Sequence, residues 1–500
     1  MAQYNILDEL SPEIINLILE QLRALDIAFV LTLRLVCRRF NDFATPASYR
    51  LIHLNERILS PTAEQLYPHA LEHISQHTNH VSVRSDLDLP SVGRILRLVK
   101  RLLSIRWHYV AQQDRTPRIW LPSAMLNQEQ VKSNRTEIFI ENLPLGGAQH
   151  DLDQSCFSAT LTKHLVSLKL CNSEPPLTTR PNTLKLLVVK SRRLKTLHYR
   201  DLGIGTSFCF NSDERLPPVA HLVLCSYNWH HSADEVRRHW DFSGIQSLQM
   251  VNVPVCNFFK SVELDHLCRL HTLKVGEQSG HLHQTWGGAT GFLYQAIKHH
   301  IDALQTLELT CKTALFGLDA LERHARTLQV LRFQDHVGFQ DDSRTCPTLD
   351  YKSVRALASA LVHVHTLELD MDTTEPTEFL EAVCLFPRLH TLTLHVQTRV
   401  RPVDEAVVHP DADDEAVAEM LRLLLRRRKG GVAWRRVTIN VGGWRRAMVR
   451  RVGYEWKKQN ERGVFAERCF VMETDGESGY AVRDEACQKG SLGRPLADEA

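Results

Sequence analysis

The chain is 500 residues long, 43% apolar and 24% charged, enough for two or more domains or one long array with a large core. A formal net charge of +2 argues against polyanion binding by the chain as a whole, and no apolar run approaches the ~20 residues of a membrane-spanning helix. Twelve cysteines are scattered with no C-x-x-C pair. With no signal peptide ahead of them they are expected to be reduced, mostly buried thiols of a soluble intracellular protein, cytoplasmic, nuclear or both. The Asn134-Arg135-Thr136 sequon has no meaning without secretion.

The first predicted elements are helices. Ser11 can cap one and Pro12 suits its first turn, where the missing N–H had no partner. Ile14, Ile18 and Leu22 follow at i, i+4 and i+8, and Ile15 and Leu19 widen the stripe. Asp26 can cap a second helical stretch over 27–43, broken near Thr32 and stopped by Thr45-Pro46. About forty residues cannot bury that much apolar surface on themselves, so a second helical protein is the natural cover. An ordinary amphipathic hairpin opening some other domain is the bland alternative.

This segment resembles the F-box over residues 5–50. Leu10-Ser11-Pro12-Glu13-Ile14 stands where that family opens on Leu-Pro-x-Glu-(Ile/Leu), and Val36-Cys37-Arg38-Arg39-Phe40 where it closes on Val-(Cys/Ser)-(Arg/Lys)-x-(Phe/Trp). Ser11 departs from the usual Pro, which alters helix entry more than binding. The resemblance implies docking on the Skp-type adaptor of a cullin-RING ubiquitin ligase. Leu10, Pro12, Glu13, Ile14, Ile18, Leu22, Val36, Cys37 and Phe40 are then expected to touch the adaptor or support the contact. Some of them must instead pack the motif's own small core, and sequence does not separate the two groups.

Residues 51–77 read as a partly helical connector. From residue 78 to 475 a six-residue phrase, apolar-x-x-apolar-x-apolar, recurs at 165–170, 194–199, 219–224, 245–250, 270–275, 304–309, 328–333, 364–369 and 389–394. A tenth copy fits 434–439, with weaker ones at 78–83, 102–107 and 135–140. Start-to-start spacings among the first nine are 29, 25, 26, 25, 34, 24, 36 and 25, a period near 25 that marks stacked supersecondary units. Helical patterns at 292–301, 315–325, 353–361 and 378–385 precede the next phrase. Strand, loop and helix in repetition mean an α/β chain with parallel strands and outer helices.

The phrases resemble leucine-rich repeats, in particular the irregular arrays that follow F-boxes in many fungal proteins, and so imply an irregular leucine-rich-repeat solenoid. The family's Asn or Cys three residues past the phrase is mostly missing: Ser173, Leu202, Tyr227, Val253, Gln278, Lys312, His336, Asp372 and Gln397 hold that place. An Asn ladder therefore cannot run through the chain, and irregular loops are expected. A doubly wound α/β domain remains the alternative. In each phrase the fifth residue is expected on the concave face, available to a target: Lys169, His198, Val223, Gln249, Lys274, Glu308, Arg332, Glu368 and Thr393.

No catalytic constellation emerges. The stretch 202–206 lacks the Lys and second half of a phosphate loop. His230-His231, His281-Leu282-His283 and His299-His300 have no partner ligands at metal spacing, and no nucleophile elbow is present. Neither metal nor cofactor is expected, and the chain reads as a non-catalytic subunit.

Charge segregates near the C-terminus. Residues 404–419, read as a loop, hold seven acids and no Lys or Arg, while 422–468 carry a net +12. Within the basic stretch Trp444, Met448, Val452 and Trp456 step by four, predicting a helix between strands at 434–439 and 464–472 that caps the array over 434–472. The basic residues, Arg426-Arg427-Arg428-Lys429 among them, read as a solvated face partly neutralised by the acidic run; nuclear import or an acidic partner is the sharper alternative. Residues 476–500 read as a disordered tail. Taken together the pattern predicts a substrate-recognition subunit of an SCF-type ligase, joining adaptor to protein target. A non-degradative F-box scaffold and a basic repeat protein binding nucleic acid are the rival classes; no membrane partner is expected.

Overall fold

A computed structural model describes residues 10–110, 125–144, 158–171, 181–201, 205–276, 286–336, 348–372, 375–397, 412–428, 432–442, 468–475 and 479–485. The chain divides into two compact units, Met1–Tyr227 with His239–Asp241 and Asn228–Arg238 with Phe242–Ala500.

The first unit opens on three helices, α1 (Pro12–Leu25), α2 (Ile27–Leu33) and α3 (Arg38–Tyr49). The expected stop at Thr45-Pro46 does not occur, because α3 runs through Pro46 to Tyr49. Pro46 deprives the carbonyl of Asp42, four residues back, of its helical donor, but both residues are exposed, so water can serve that oxygen. A strand follows at once, β1 (Leu51–His53), where only a partly helical connector was expected. It precedes β2 (His80–Arg84), β3 (Ser104–His108), β4 (Glu137–Pro144), β5 (Leu165–Cys171), β6 (Thr196–Arg200) and β7 (His221–Cys225). Each pairs in parallel with the next.

The second unit holds β8 (Ser247–Val251), β9 (Thr272–Gly276), β10 (Thr306–Cys311), β11 (Val330–Asp335), β12 (Thr366–Met371), β13 (Thr391–Val396) and β14 (Arg436–Val441), again parallel and in chain order. A doubly wound sheet reverses its strand order at a switch point; within each unit the order never reverses. Two strands end the unit antiparallel, β15 (Arg468–Asp475) on β14 and β16 (Gly479–Glu485) on β15. Residues 479–485 are thus a strand where a disordered tail was expected. The predicted helix carrying Trp444, Met448, Val452 and Trp456 lies outside the described residues.

The phrase recurs for a visible reason. Its first two residues form a turn and the other four begin the strand. Leu304, Leu307 and Leu309, the apolar positions of one copy, are all essentially buried, each contributing on the order of 1.5–3 kcal/mol. The N–H groups of residues two and three converge on one carbonyl, that of residue two in the preceding copy. Gln305 and Thr306 donate to His271 (2.8 and 3.0 Å), Gln329 and Val330 to Gln305 (2.8 and 3.0 Å), and His390 and Thr391 to His365 (3.0 and 3.1 Å). In the first unit Ala220 and His221 do the same to Lys195 (2.8 and 2.9 Å). A turn that must repeat this geometry tolerates little change in spacing.

Buried aspartates serve turns that an Asn ladder would otherwise serve. The Asp335 carboxylate accepts from the Thr313 N–H and hydroxyl, both at 2.9 Å, and the Asp370 carboxylate accepts from the Asp335 N–H at 2.7 Å. Asp201 holds the Thr206 N–H and hydroxyl at 3.1 and 2.6 Å in the first unit.

Helices cover the buried side of the strands unevenly. Tyr351–Ala360 and Pro376–Cys384 are regular and bury Val354, Leu357, Phe379 and Leu380. The pattern at 315–325 yields only the short helix Asp319–Glu322, and 292–301 is a helix end, Trp286–Gln295, that widens into a π turn, Ala296–His300. Of the acidic run expected as a loop, the described part, from residue 412 on, is the start of a helix, Ala412–Arg427, whose first turn carries Asp413, Asp414 and Glu415 and whose last carries Arg426 and Arg427. Both ends favour the helix dipole.

Candidate functional site

Local chemistry fixes α1–α3 tightly. Ser11 Oγ accepts from the Ile14 N–H at 3.4 Å, Asp26 Oδ1 from Ala28 at 2.9 Å, and Cys37 Sγ from Phe40 at 3.5 Å, so each helix has a side-chain N-cap. Ser11, the departure from the family's opening, is thus the first cap. Arg39 reaches back to the Leu10 carbonyl at 2.8 Å, closing the motif's two ends on each other. Ile15, Leu19, Val30 and Ala44 are its buried core, with Leu10, Leu22, Leu33, Phe43 and Ala47 packed around them.

That core is small, and much of the apolar surface stays outside it. Among the described residues, nine of twenty exposed large apolar side chains fall between Ile14 and Val36: Ile14, Leu17, Ile18, Leu25, Ile27, Phe29, Leu31, Leu35 and Val36, with exposures from 42% to 86%. On α1 the outer stripe of Ile14, Leu17, Ile18 and Leu25 is rotated roughly 100° from the core stripe of Ile15, Leu19 and Leu22, taking 100° per residue. The seven-residue α2 sends Val30 inward and leaves Ile27, Phe29 and Leu31 out. A contiguous run this apolar marks an interaction surface.

The residues expected at the adaptor contact therefore split. Ile14, Ile18 and Val36 are exposed apolar groups, and Pro12, Glu13 and Cys37 are exposed at helix starts. Leu10 and Leu22 pack against the motif's own core, and Phe40 is half-buried. Sequence reasoning missed Leu17, Leu25, Ile27, Phe29, Leu31 and Leu35; the signal was the apolar content beyond one helical stripe.

These helices are tied to the first strands. Thr78 Oγ1 donates to the Tyr49 carbonyl at 2.9 Å, the Tyr49 and His73 rings lie 5.2 Å apart, and Arg50 pairs with Glu20 at 2.6 Å.

A second set of predicted residues lies, in each unit, on the face of the strands opposite the three buried positions of the phrase, although Val223 is itself buried. In the first unit Lys169, His198 and Val223 are in register on β5, β6 and β7. In the second, Gln249, Lys274, Glu308, Arg332, Glu368 and Thr393 run in register from β8 to β13. Their charges meet one another. Lys274 contacts Glu308 at 2.9 Å, Arg332 lies 3.5 Å from Glu308 and 3.3 Å from Glu368, and His395 Nε2 sits 2.7 Å from Glu368. The row is an alternating ion-pair chain.

Glu141 forms a comparable node in the first unit. His108 and Arg106 lie 3.4 Å away and Lys169 3.6 Å. The hydrogen bond to His108, reinforced against burial by the charges of Lys169 and Arg106, draws its carboxyl down to about 2. Glu141 and His395 escaped the sequence reading because both sit one residue past a six-residue phrase. Period-two alternation returns that seventh residue to the face of the fifth.

Other flagged features resolve as structure. Arg428, third in the basic run, donates to the carbonyls of Cys384 (3.1 Å), Phe386 (3.0 Å), Val432 (3.1 Å) and Leu389, and lies 4.6 Å over the Trp434 ring. Arg427 pairs with Glu381 at 2.7 Å. Thr206, at the end of the glycine stretch, is held by Asp201, and His300 pairs with Asp265 at 2.7 Å. His281 and His283 lie outside the described residues. Among the described residues no group of three or more His, Cys, Asp or Glu is arranged to hold a metal, and no helix is long and apolar enough to cross a membrane.

Residues 7–46 match the F-box domain family model. The match begins and ends close to the three helices just described and takes in the whole exposed apolar run. No curated protein matches the chain. An F-box domain suggests, in general terms, a substrate-adaptor role in ubiquitin ligation, in which such proteins are usually non-catalytic.

Proposed function

We propose that the chain is the substrate-recognition subunit of an SCF-type cullin-RING ubiquitin ligase, its F-box seated on a Skp-type adaptor and its strand array, read as an irregular leucine-rich-repeat solenoid, holding a protein target. The observation that carries this reading is the exposed apolar run of Ile14–Val36 inside the matched F-box. The mechanism is positional. The target's lysines are held at high effective concentration near a ubiquitin-charged enzyme carried elsewhere in the complex. The F-box helices and the first seven strands share one compact unit, which suits a subunit that must fix a target relative to its adaptor. The open-face residues Lys169 and His198 and the row from Gln249 to Thr393 are the proposed target surface, and the setting is cytoplasmic, nuclear or both.

A tagged chain expressed with the proteasome blocked should recover adaptor and cullin, together with proteins whose half-lives lengthen when the chain is removed. Recovery of adaptor with partners whose half-lives do not change would favour a non-degradative scaffold. Failure to recover adaptor at all would sink the proposal.

A further inference from the structure

The strand order of the second unit ends on β16, which takes one edge of β15 in antiparallel register from Cys469–Glu485 to Asp475–Gly479. Among the described residues no strand pairs with its other edge, and Tyr480, Ala481, Val482 and Arg483 are all exposed. The backbone N–H and C=O groups of β16 that point away from β15 are then a template for another strand.

The same edge carries unsheltered apolar surface. Register sets Val482 opposite Met472, and Met472 opposite Val437. Val482, with Tyr480 two residues away, therefore continues the buried face of the strands. Met472 and Val437 are buried there, whereas Val482 is 55% and Tyr480 37% exposed. On the other face Arg483 contacts Glu473, which Arg436 also meets at 3.2 Å, so its charge is answered within its own chain.

We infer that this edge pairs with the same edge of a second copy, β16 antiparallel to β16 about a two-fold axis through Val482. The sequence Gly479-Tyr480-Ala481-Val482-Arg483-Asp484-Glu485 selects that register. With the axis at Val482 the strands overlap over their whole length. Arg483 then stands opposite Ala481, residue 484 opposite Tyr480 and residue 485 opposite Gly479, so each charged residue meets an uncharged one. Moving the axis to 483 or 484 sets Arg opposite Arg or Asp opposite Asp, which is destabilising, and moving it to 481 shortens the overlap to 479–483. Val482 faces its own counterpart, and each Tyr480 comes within diagonal reach of the other copy's Val482, so the two copies cover each other's apolar surface. The two Arg483 side chains are diagonal neighbours across the axis, but each brings its own Glu473. A contact of this isologous kind closes on itself and does not polymerise. It is short, which makes the dimer concentration-dependent. The inference does not depend on the ligase reading.

The test is sedimentation equilibrium of the full chain at rising concentration, where monomer and dimer are expected together. Val482→Lys, which opposes two ammonium groups on the axis, should weaken the dimer about tenfold or more at an unchanged melting temperature. Mild oxidation reads the register. Residues directly opposite in antiparallel strands have Cα atoms about 4.5–5.5 Å apart, within a disulfide's reach, so Val482→Cys should give covalent dimers. Tyr480→Cys, roughly 14 Å from its counterpart, should crosslink no more than the wild type, in which Cys37 and Cys209 are exposed thiols. If Val482→Lys also melts lower, the two cysteine variants decide. A chain that stays monomeric at every concentration, or a dimer indifferent to Val482→Lys, overturns the inference. So does equal crosslinking at 480 and 482. Loss of a captured target, instead of a dimer, in Val482→Lys would give the edge to a target's strand and overturn it too.

Discussion

Replacing Ile14 and Leu35 together by Ala should break adaptor binding and leave the fold intact. Leu35, at 86% exposure, is almost wholly in water and Ile14, at 46%, about half so, so the isolated chain loses little packing and its stability should fall by no more than about 1 kcal/mol. Full burial of a Leu or Ile side chain is worth about 1.5–3 kcal/mol. Leu35 has nearly all of that still to gain and Ile14 about half. Allowing for the methyl that Ala keeps, the pair should cost about 2–3 kcal/mol on binding, a rise in Kd of roughly 30- to 150-fold. Leu19→Ala is the contrasting control: at 1% exposure in the motif's core it should cost about 2–5 kcal/mol of folding stability. Leu10 is a poorer site to cut, because it packs against that same core. Calorimetric titration with purified adaptor gives Kd, and thermal melts of the free chain give stability. Wild-type affinity in the double variant would refute the assignment of this surface. So would a loss of more than about 1 kcal/mol of stability, which would mean that the chain itself covers Ile14 and Leu35.

Arg428→Ala should destabilise the second unit by about 2–4 kcal/mol in urea unfolding, since it removes hydrogen bonds to four carbonyls and a cation–π contact; Arg428→Lys, lacking the planar fork, should rescue little of it. Glu141→Gln should flatten the acid limb of the stability profile. A carboxylate whose folded pKa of about 2 lies below its unfolded value of ~4.3 stabilises the fold above the unfolded value. That contribution is lost as pH falls from about 4.3 through 2, so wild type and variant should converge at the acid end and separate above it.

The strands were the most legible part of the fold, because the same three buried positions and the same backbone rungs recur. The phrase 304–309, for example, becomes a turn plus the start of β10. Helices were less so. Asp319–Glu322 and the π turn Ala296–His300 fill space between strands whose spacing is already set, and apolar periodicity there reports burial without requiring a regular helix. Pro46 inside α3 and the strand Gly479–Glu485 were missed because local composition argued against them and tertiary pairing prevailed. The aspartate turns were invisible for a narrower reason. Asp201 and Asp335 stand one place before the residue that the repeat pattern inspects, and Asp370 two. At the F-box, the caps and the two apolar stripes could be read directly, whereas which stripe faces inward depends on where α2 and α3 pack.

Charge on the open face of the second unit illustrates the same limit. The spacing placed Lys274, Glu308, Arg332 and Glu368 in one row, but it could not say that they would satisfy one another. Reversing one member would be a poor probe of target binding. Glu308→Lys alone would set three cations side by side, at the present Lys274–Glu308 and Arg332–Glu308 separations of 2.9 and 3.5 Å, and would disturb the sheet. Inverting all four, Lys274→Glu, Glu308→Lys, Arg332→Glu and Glu368→Lys, keeps the alternation and reverses what a partner meets. The pairs are only partly exposed, Glu308 at 22% and Glu368 at 18%, but inversion keeps each opposite charge in place, and with pairs of this kind worth about 1 kcal/mol each the inverted chain should fold within about 2 kcal/mol of wild type. The main uncompensated contact is at His395, which loses its carboxylate partner through Glu368→Lys. If the row reads a target, the inverted chain should capture adaptor normally and lose that target. If every target survives inversion, the row does no more than neutralise the sheet it lies on.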